Sequence, residues 1–228
     1  MNARQAHRRR QEAAAQARQA ARRRRQRRRL GIAAVLAVVL VAGIGGLAVS
    51  AASRHRQPAT GALPGLQAGP APWGANTAEL AQRLQAMDLP PLSPVEQTVL
   101  HIHQHLDLYV DGRKVQVPAG VGIDPAVGYA PLHTHDISGI IHVESPTVRT
   151  YTLGEFFAVW GVRLTPSCLG GYCAGGGRQL RVYVNGQAYR GDPTTLALAP
   201  HQELVVAYGT PAQLPSPVAS SYPFPPGL

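Results

Sequence analysis

Two hairpin signatures and one capped helix predict an α+β domain over residues 95–209. Asp111-Gly112 and Asn185-Gly186 each separate runs of apolar and β-branched residues, the pattern of a two-residue type I′ turn. Thr152-Leu153-Gly154-Glu155 forms a capping box, in which hydroxyl and carboxylate satisfy two free backbone donors.

Each element then follows in order. Residues 99–110 alternate, with Leu100, Ile102, Leu106, Leu108 and Val110 on one face and Gln104 as the exception. Residues 114–117 are the return strand, and 139–144 a further strand. Leu153, Phe156, Phe157 and Trp160 recur at i, i+3, i+4 and i+7, a core-facing stripe on a helix over 152–161 that Gly161 ends. Residues 180–184 and 187–190 make the second hairpin, and 203–208 the last strand. The expected core is Leu106, Leu108, Phe156, Phe157, Trp160, Val182 and Val205. One helix on one face of a mixed sheet resembles a β-grasp (ubiquitin-like) arrangement, a likeness of fold that carries no activity.

Upstream, the chain is divided by charge. The net charge is +10 over 228 residues, but residues 1–29 contain twelve Arg and one Glu, and the remainder is close to neutral. No basic folded domain is left to grip nucleic acid. Residues 30–52 carry no charge, with Ser50 the only polar side chain. As a helix they extend roughly 35 Å, enough for a bilayer core. Seven Arg lie between Ala21 and Leu30, and only Arg54 and Arg56 follow closely. The positive-inside rule therefore predicts a single-pass anchor with residues 1–29 in the cytoplasm, against lipid, and 53–228 outside. A cleaved signal peptide is the rival reading, though its apolar region is usually shorter. Residues 53–94 read as a Pro/Ala/Gly-rich linker with a short helix at 77–87, capped by Asn76 and striped by Leu80, Leu84 and Met87. Residues 210–228, with six Pro and no charge, read as a loose tail.

Six of the nine His fall between His101 and His142. His101, His103 and His105 alternate on one strand and so share a face. His133 and His135 repeat the two-residue step, with Asp136 beside them, and His142 and Glu144 make a third pair. Neutral imidazoles at this spacing converge readily on one ion, and a nitrogen-rich set with no Cys suits zinc or copper. His103, His133 and His135 are the expected heart of a site, with Asp136 and Glu144 as carboxylate ligands or supporting acceptors and the surplus His as outer donors or a second site. The alternatives are a structural or solvated His face and a pH-sensing cluster. The cupin spacing and the His-Glu-x-x-His motif are absent, as are the nucleophile elbow, the P-loop and the dinucleotide fingerprint.

Leu132-His133-Thr134-His135-Asp136, Gly139-Ile140-Ile141-His142-Val143-Glu144-Ser145 and His101-Ile102-His103-Gln104-His105, with the helix segment 152–161, carry a resemblance. Together they resemble an uncharacterised family of membrane-anchored exported proteins, mainly actinobacterial with archaeal relatives. The resemblance covers roughly residues 95–209. It implies membrane anchoring and export, and supplies no catalytic residue.

Cys168 and Cys173 enclose Leu-Gly-Gly-Tyr. Outside the cytoplasm so close a pair is expected to oxidise to a structural disulfide. A redox-active dithiol or a metal-binding pair is the alternative. The leading functional expectation is a tethered extracytoplasmic metal-binding domain that captures or delivers zinc or copper. A zinc-dependent enzyme and a non-catalytic module that binds another envelope protein are the alternatives.

Overall fold

The computed structural model describes residues 63–228. The predicted arm at 1–29, the predicted span at 30–52 and the first part of the linker lie outside them. Among the described residues no helix is long and apolar enough to cross a membrane.

The described chain is mixed α+β, built around one mixed sheet. Its spatial order is β10 (Gln187–Tyr189), β9 (Gln179–Val184), β11 (Glu203–Gly209), β1 (Leu100–Val110), β6 (Ile140–Ser145) and β5 (Leu132–His133), with β2 (Arg113–Val115) also paired to β1. β1 and β11 run parallel, and the other ladders of this sheet are antiparallel. Two small hairpins stand apart: β3 (Ile123–Asp124) with β4 (Gly128–Tyr129), and β7 (Cys168–Leu169) with β8 (Tyr172–Cys173). Cys168 and Cys173 are paired across the second of these and joined as a disulfide. Both two-residue turns form as their sequences predict. Asp111, Gly112, Asn185 and Gly186 all take positive φ, which the type I′ geometry requires.

The helix α2 (Leu153–Trp160) also follows its sequence signals. Glu155 N–H donates to Thr152 Oγ1, Thr152 N–H donates to the Glu155 carboxylate, and Gly161 ends the helix in the left-handed conformation. Leu153, Phe156, Phe157 and Trp160 pack into one cluster with Leu106, Leu108, Ile141, Val143, Leu204 and Val206. Val205 is buried as expected but lies outside that cluster, on the opposite face of β11.

Every residue of α2 is buried, so its far side is covered too. Pro193–Thr195 packs against its start, where Leu153 N–H donates to Leu196 O, and the rest of the cover comes from residues 63–94, part of the stretch expected to be a linker. Trp73 meets Trp160 edge-on with ring centroids 6.1 Å apart, and Trp160 Nε1–H donates to Gly74 O. The short helix α1 is Leu80–Ala86, and its entry differs from the sequence expectation. Asn76 accepts from Ala78 N–H in a local turn, and Glu79 occupies the cap position without a side-chain cap bond. Leu80, Leu84 and Met87 are buried as their stripe requires. Arg83 is fully buried and donates to five backbone carbonyls, those of Ala158 and Val159 at the end of α2 among them. A cation at a helix C-terminus is favoured by the helix dipole, and here it also holds the two helices together.

The tail is not loose either. The Tyr222 ring stacks on His105 with centroids 3.8 Å apart, and Phe224 lies against His201. Six prolines lower the entropy lost when the tail docks, which a reading of Pro content as looseness overlooks.

Candidate metal centre

Strand alternation puts His101, His103 and His105 on the face of β1 opposite Leu106 and Leu108. The register then assembles the rest. Glu144 sits across from His101 and His142 across from His103. On the other side of β6, His133 sits across from the same His142. β6 is therefore the middle strand, and His142 is its shared neighbour.

His133 is delivered by a braced loop. Gly120 N–H donates to Thr134 O, Thr134 N–H to Val121 O, and Ala130 N–H to Gly122 O. Gly122 has φ +68°, and a Cβ there would lie 2.2 Å from Leu132 O, so only glycine allows the loop to close this tightly beside His133.

The result is two overlapping donor groups: His101, His103, His142 and Glu144; and His133, His135, His142 and Glu144. Within each, one ligand atom per residue lies within 4.8 Å of all the others. In the first, His101 Nε2 is 3.1 Å from His103 Nε2 and 3.2 Å from Glu144 Oε1, while His142 Nδ1 is 3.3 Å from the same oxygen. In the second, His133 Nε2 is 3.2 Å from His135 Nε2 and 3.9 Å from Glu144 Oε2. Bonds of 2.0–2.1 Å to a tetrahedral zinc place neighbouring donors about 3.3 Å apart, so these edges have the size of a coordination polyhedron.

The electrostatics favour ligation. Burial, with the neighbouring His142 and His101, pushes His103 down to about 4. Burial also pushes His133 down to about 4, against the opposing pull of the Ala130 carbonyl and Glu144. Both rings are therefore neutral at pH 7, the form that binds metal. Burial alone would raise Glu144, but its hydrogen bond from His142 and the nearby His133 and His101 hold it below its ordinary value. Glu144 Oε2 is buried and accepts no hydrogen bond. An anionic oxygen left so costs several kcal/mol in order of magnitude unless a cation faces it.

Three sequence expectations change here. His103 does not meet His133 and His135 at one point, because β6 separates β1 from β5, and two inter-strand steps come to about 9.6 Å. His105 leaves the set: its Nδ1 is 2.7 Å from Glu203 Oε2 and its Nε2–H donates to Ser138 O. It belongs to a third donor group, His105–Asp107–Glu203, where Glu203 Oε1 also lacks a hydrogen-bond partner, but both ring nitrogens are engaged and Lys114 Nζ, 2.6 Å from Asp107, already supplies a cation. Asp136 is exposed and accepts from Ser138 N–H in a local turn, in neither donor group.

Two carboxylates escaped the sequence reading. Glu203 is legible, since it opens the strand expected at 203–208 and shares a face with Val205. Glu96, whose Oε1 lies 3.3 Å from His135 Nε2, had no signal, because it sits in a loop. A cavity of about 270 Å³ adjoins the second group, lined by residues 90–97, Tyr129, His133 and Glu144 among others.

No protein-family model, curated protein or solved structure matches this chain.

Proposed function

We propose that this is a membrane-anchored, extracytoplasmic domain that binds zinc or copper through its His face, in a capture or delivery role. The observation that carries the metal reading is Glu144. Its buried Oε2 has no hydrogen-bond partner and stands among imidazole nitrogens spaced as ligands. The run at 30–52 and the Arg imbalance support N-terminus inside and domain outside, the topology of the exported family that the His motifs resemble. The disulfide accords with an oxidising compartment. The partners on this reading are membrane lipid, the metal ion and an envelope protein that gives or takes it, with no nucleic acid. The finer fold reading is the β-grasp, supported by the order β6-β1-β11-β9-β10, its parallel central pair and α2 lying between β6 and β9 in the chain.

Titration calorimetry of the full-length chain with Zn(II) and Cu(II) tests the metal reading. Binding tighter than micromolar is expected, and failure to bind either ion overturns it. A carboxy-terminal reporter active only in the cytoplasm would refute the topology.

The cavity beside His133 favours a second reading, a zinc-dependent enzyme. On this reading zinc would supply a bound water with a pKa near 7, and Glu144, which lines the cavity, would serve as its base instead of as a ligand. Zinc-dependent turnover of activated esters would favour this reading, and its absence across hydrolytic substrates would favour the carrier.

A further inference from the structure

We propose that the His face holds two divalent transition-metal ions bridged by the carboxylate of Glu144. This rests on the metal-binding reading above and deepens it. The first ion takes His101, His103, His142 and Glu144 Oε1. The second takes His133, His135 and Glu144 Oε2, with Glu96 at its open side.

Three observations carry the second ion. The donors outnumber one tetrahedral shell: five imidazoles and both oxygens of Glu144 crowd one sheet face. They also divide into two pairs rather than one ring. His101 and His103 lie on β1, His133 lies on β5, and β6 runs between them. The inner ring of each pair faces His142, and the two pairs are too far apart for one ion to gather both.

The third observation is the orientation of Glu144. Oε1 lies 3.2 Å from His101 Nε2 and 3.3 Å from His142 Nδ1, whereas Oε2 lies on the His133 side, 3.9 Å from its Nε2. Each oxygen of one carboxylate thus addresses a different His pair, the arrangement of a bridging ligand. Two-metal sites hold their ions about 3.5–4 Å apart, less than one inter-strand spacing. Glu96 Oε1, 3.3 Å from His135 Nε2, supplies a second negative charge on the side where His142 is already committed. His101 and His135 are the exposed members of the two groups, so each ion has its own edge open to solvent.

The test is stoichiometry and magnetic coupling in the full-length chain loaded with Cu(II), with Zn(II) content measured in parallel. Two ions per chain are expected. The second equivalent of Cu(II) should quench the signal of the first and bring up a half-field resonance. His101→Ala with His103→Ala should retain one uncoupled ion, and so should His133→Ala with His135→Ala. Glu144→Gln should lose the coupling. One ion per wild-type chain overturns the two-ion centre and leaves the metal-binding reading standing. Two ions without coupling overturn the Glu144 bridge, and no bound ion overturns the metal-binding reading itself. The wild-type measurement decides without any variant, so a variant that fails to fold does not shield the proposal.

Discussion

His133 donates its Nδ1–H to the carbonyl of Ala130 at 2.9 Å. A carbonyl only accepts, so this bond sets the tautomer and leaves Nε2 with its lone pair aimed at His135. Such outer hydrogen bonds orient metal-binding imidazoles and raise their basicity. His133→Ala should therefore weaken Zn(II) binding on the β5 side by roughly 100-fold or more, since an outer-shell loss alone costs 10–100-fold. The metal-free fold should keep its cooperative unfolding. Calorimetry at pH 7 reads the first and a melting curve the second. Unchanged affinity would remove His133 from the site.

Stability of the metal-free protein should fall in mild acid. His103 and His133 titrate at about 4 when folded, against about 6.5 when unfolded. Between those values the unfolded chain binds protons that the folded chain does not, so the stability present above pH 6.5 is lost as pH falls toward 4. Urea midpoints of the metal-free chain at several pH values between 7 and 4 check this. A flat profile would mean that these rings are hydrated.

Gln104 should be a stabilising site for mutation. It is fully buried on the core face of β1, and neither side-chain polar atom has a partner. Gln104→Met keeps the volume and removes the unsatisfied amide, for a gain of about 1–3 kcal/mol. Denaturant titration would read it as a raised midpoint with unchanged slope. A lowered midpoint would show that the amide is paired.

Arg83→Met should destabilise by about 3 kcal/mol or more, because the guanidinium holds five carbonyls and spans from α1 to the end of α2. Residues 63–94 should then become accessible to protease before the sheet does. Simultaneous cleavage throughout would mean that the cover and the sheet unfold as one unit.

Phe157→Ala should cost roughly 3–5 kcal/mol, the loss expected when a fully packed ring leaves a cavity. A change below 1 kcal/mol in the melting analysis would contradict its place between the sheet and the cover.

The strands, the two tight turns and the capped helix were legible because their signals are local: alternation, Asp-Gly and Asn-Gly, and a Thr and a Glu three residues apart. The cover at 63–94 has the Pro/Ala/Gly composition of a linker, and the clue to its packing lies in the helix beneath it. The α2 sequence LGEFFAVW is apolar nearly all round, and such a helix needs burial on both sides. Composition is equally silent about the contacts of Tyr222 and Phe224 in the tail, since Pro content speaks to the unfolded chain as much as to the folded one.

By itself the sequence determined that His101, His103 and His105 share one strand face and that His142 and Glu144 share another, because the two-residue period of a strand is intrinsic to its backbone. Which imidazoles meet was decided only by tertiary structure. Pairing of β6 between β1 and β5 sets His142 and Glu144 at the junction, splits His103 from His133 and turns His105 toward Glu203. The β5–β6 ladder is local, but the β1–β6 and β1–β11 ladders join distant segments, such as His103 to His142 and His105 to Glu203, and strand order is fixed by the burial of one sheet face against α2, which no local pattern around a histidine encodes.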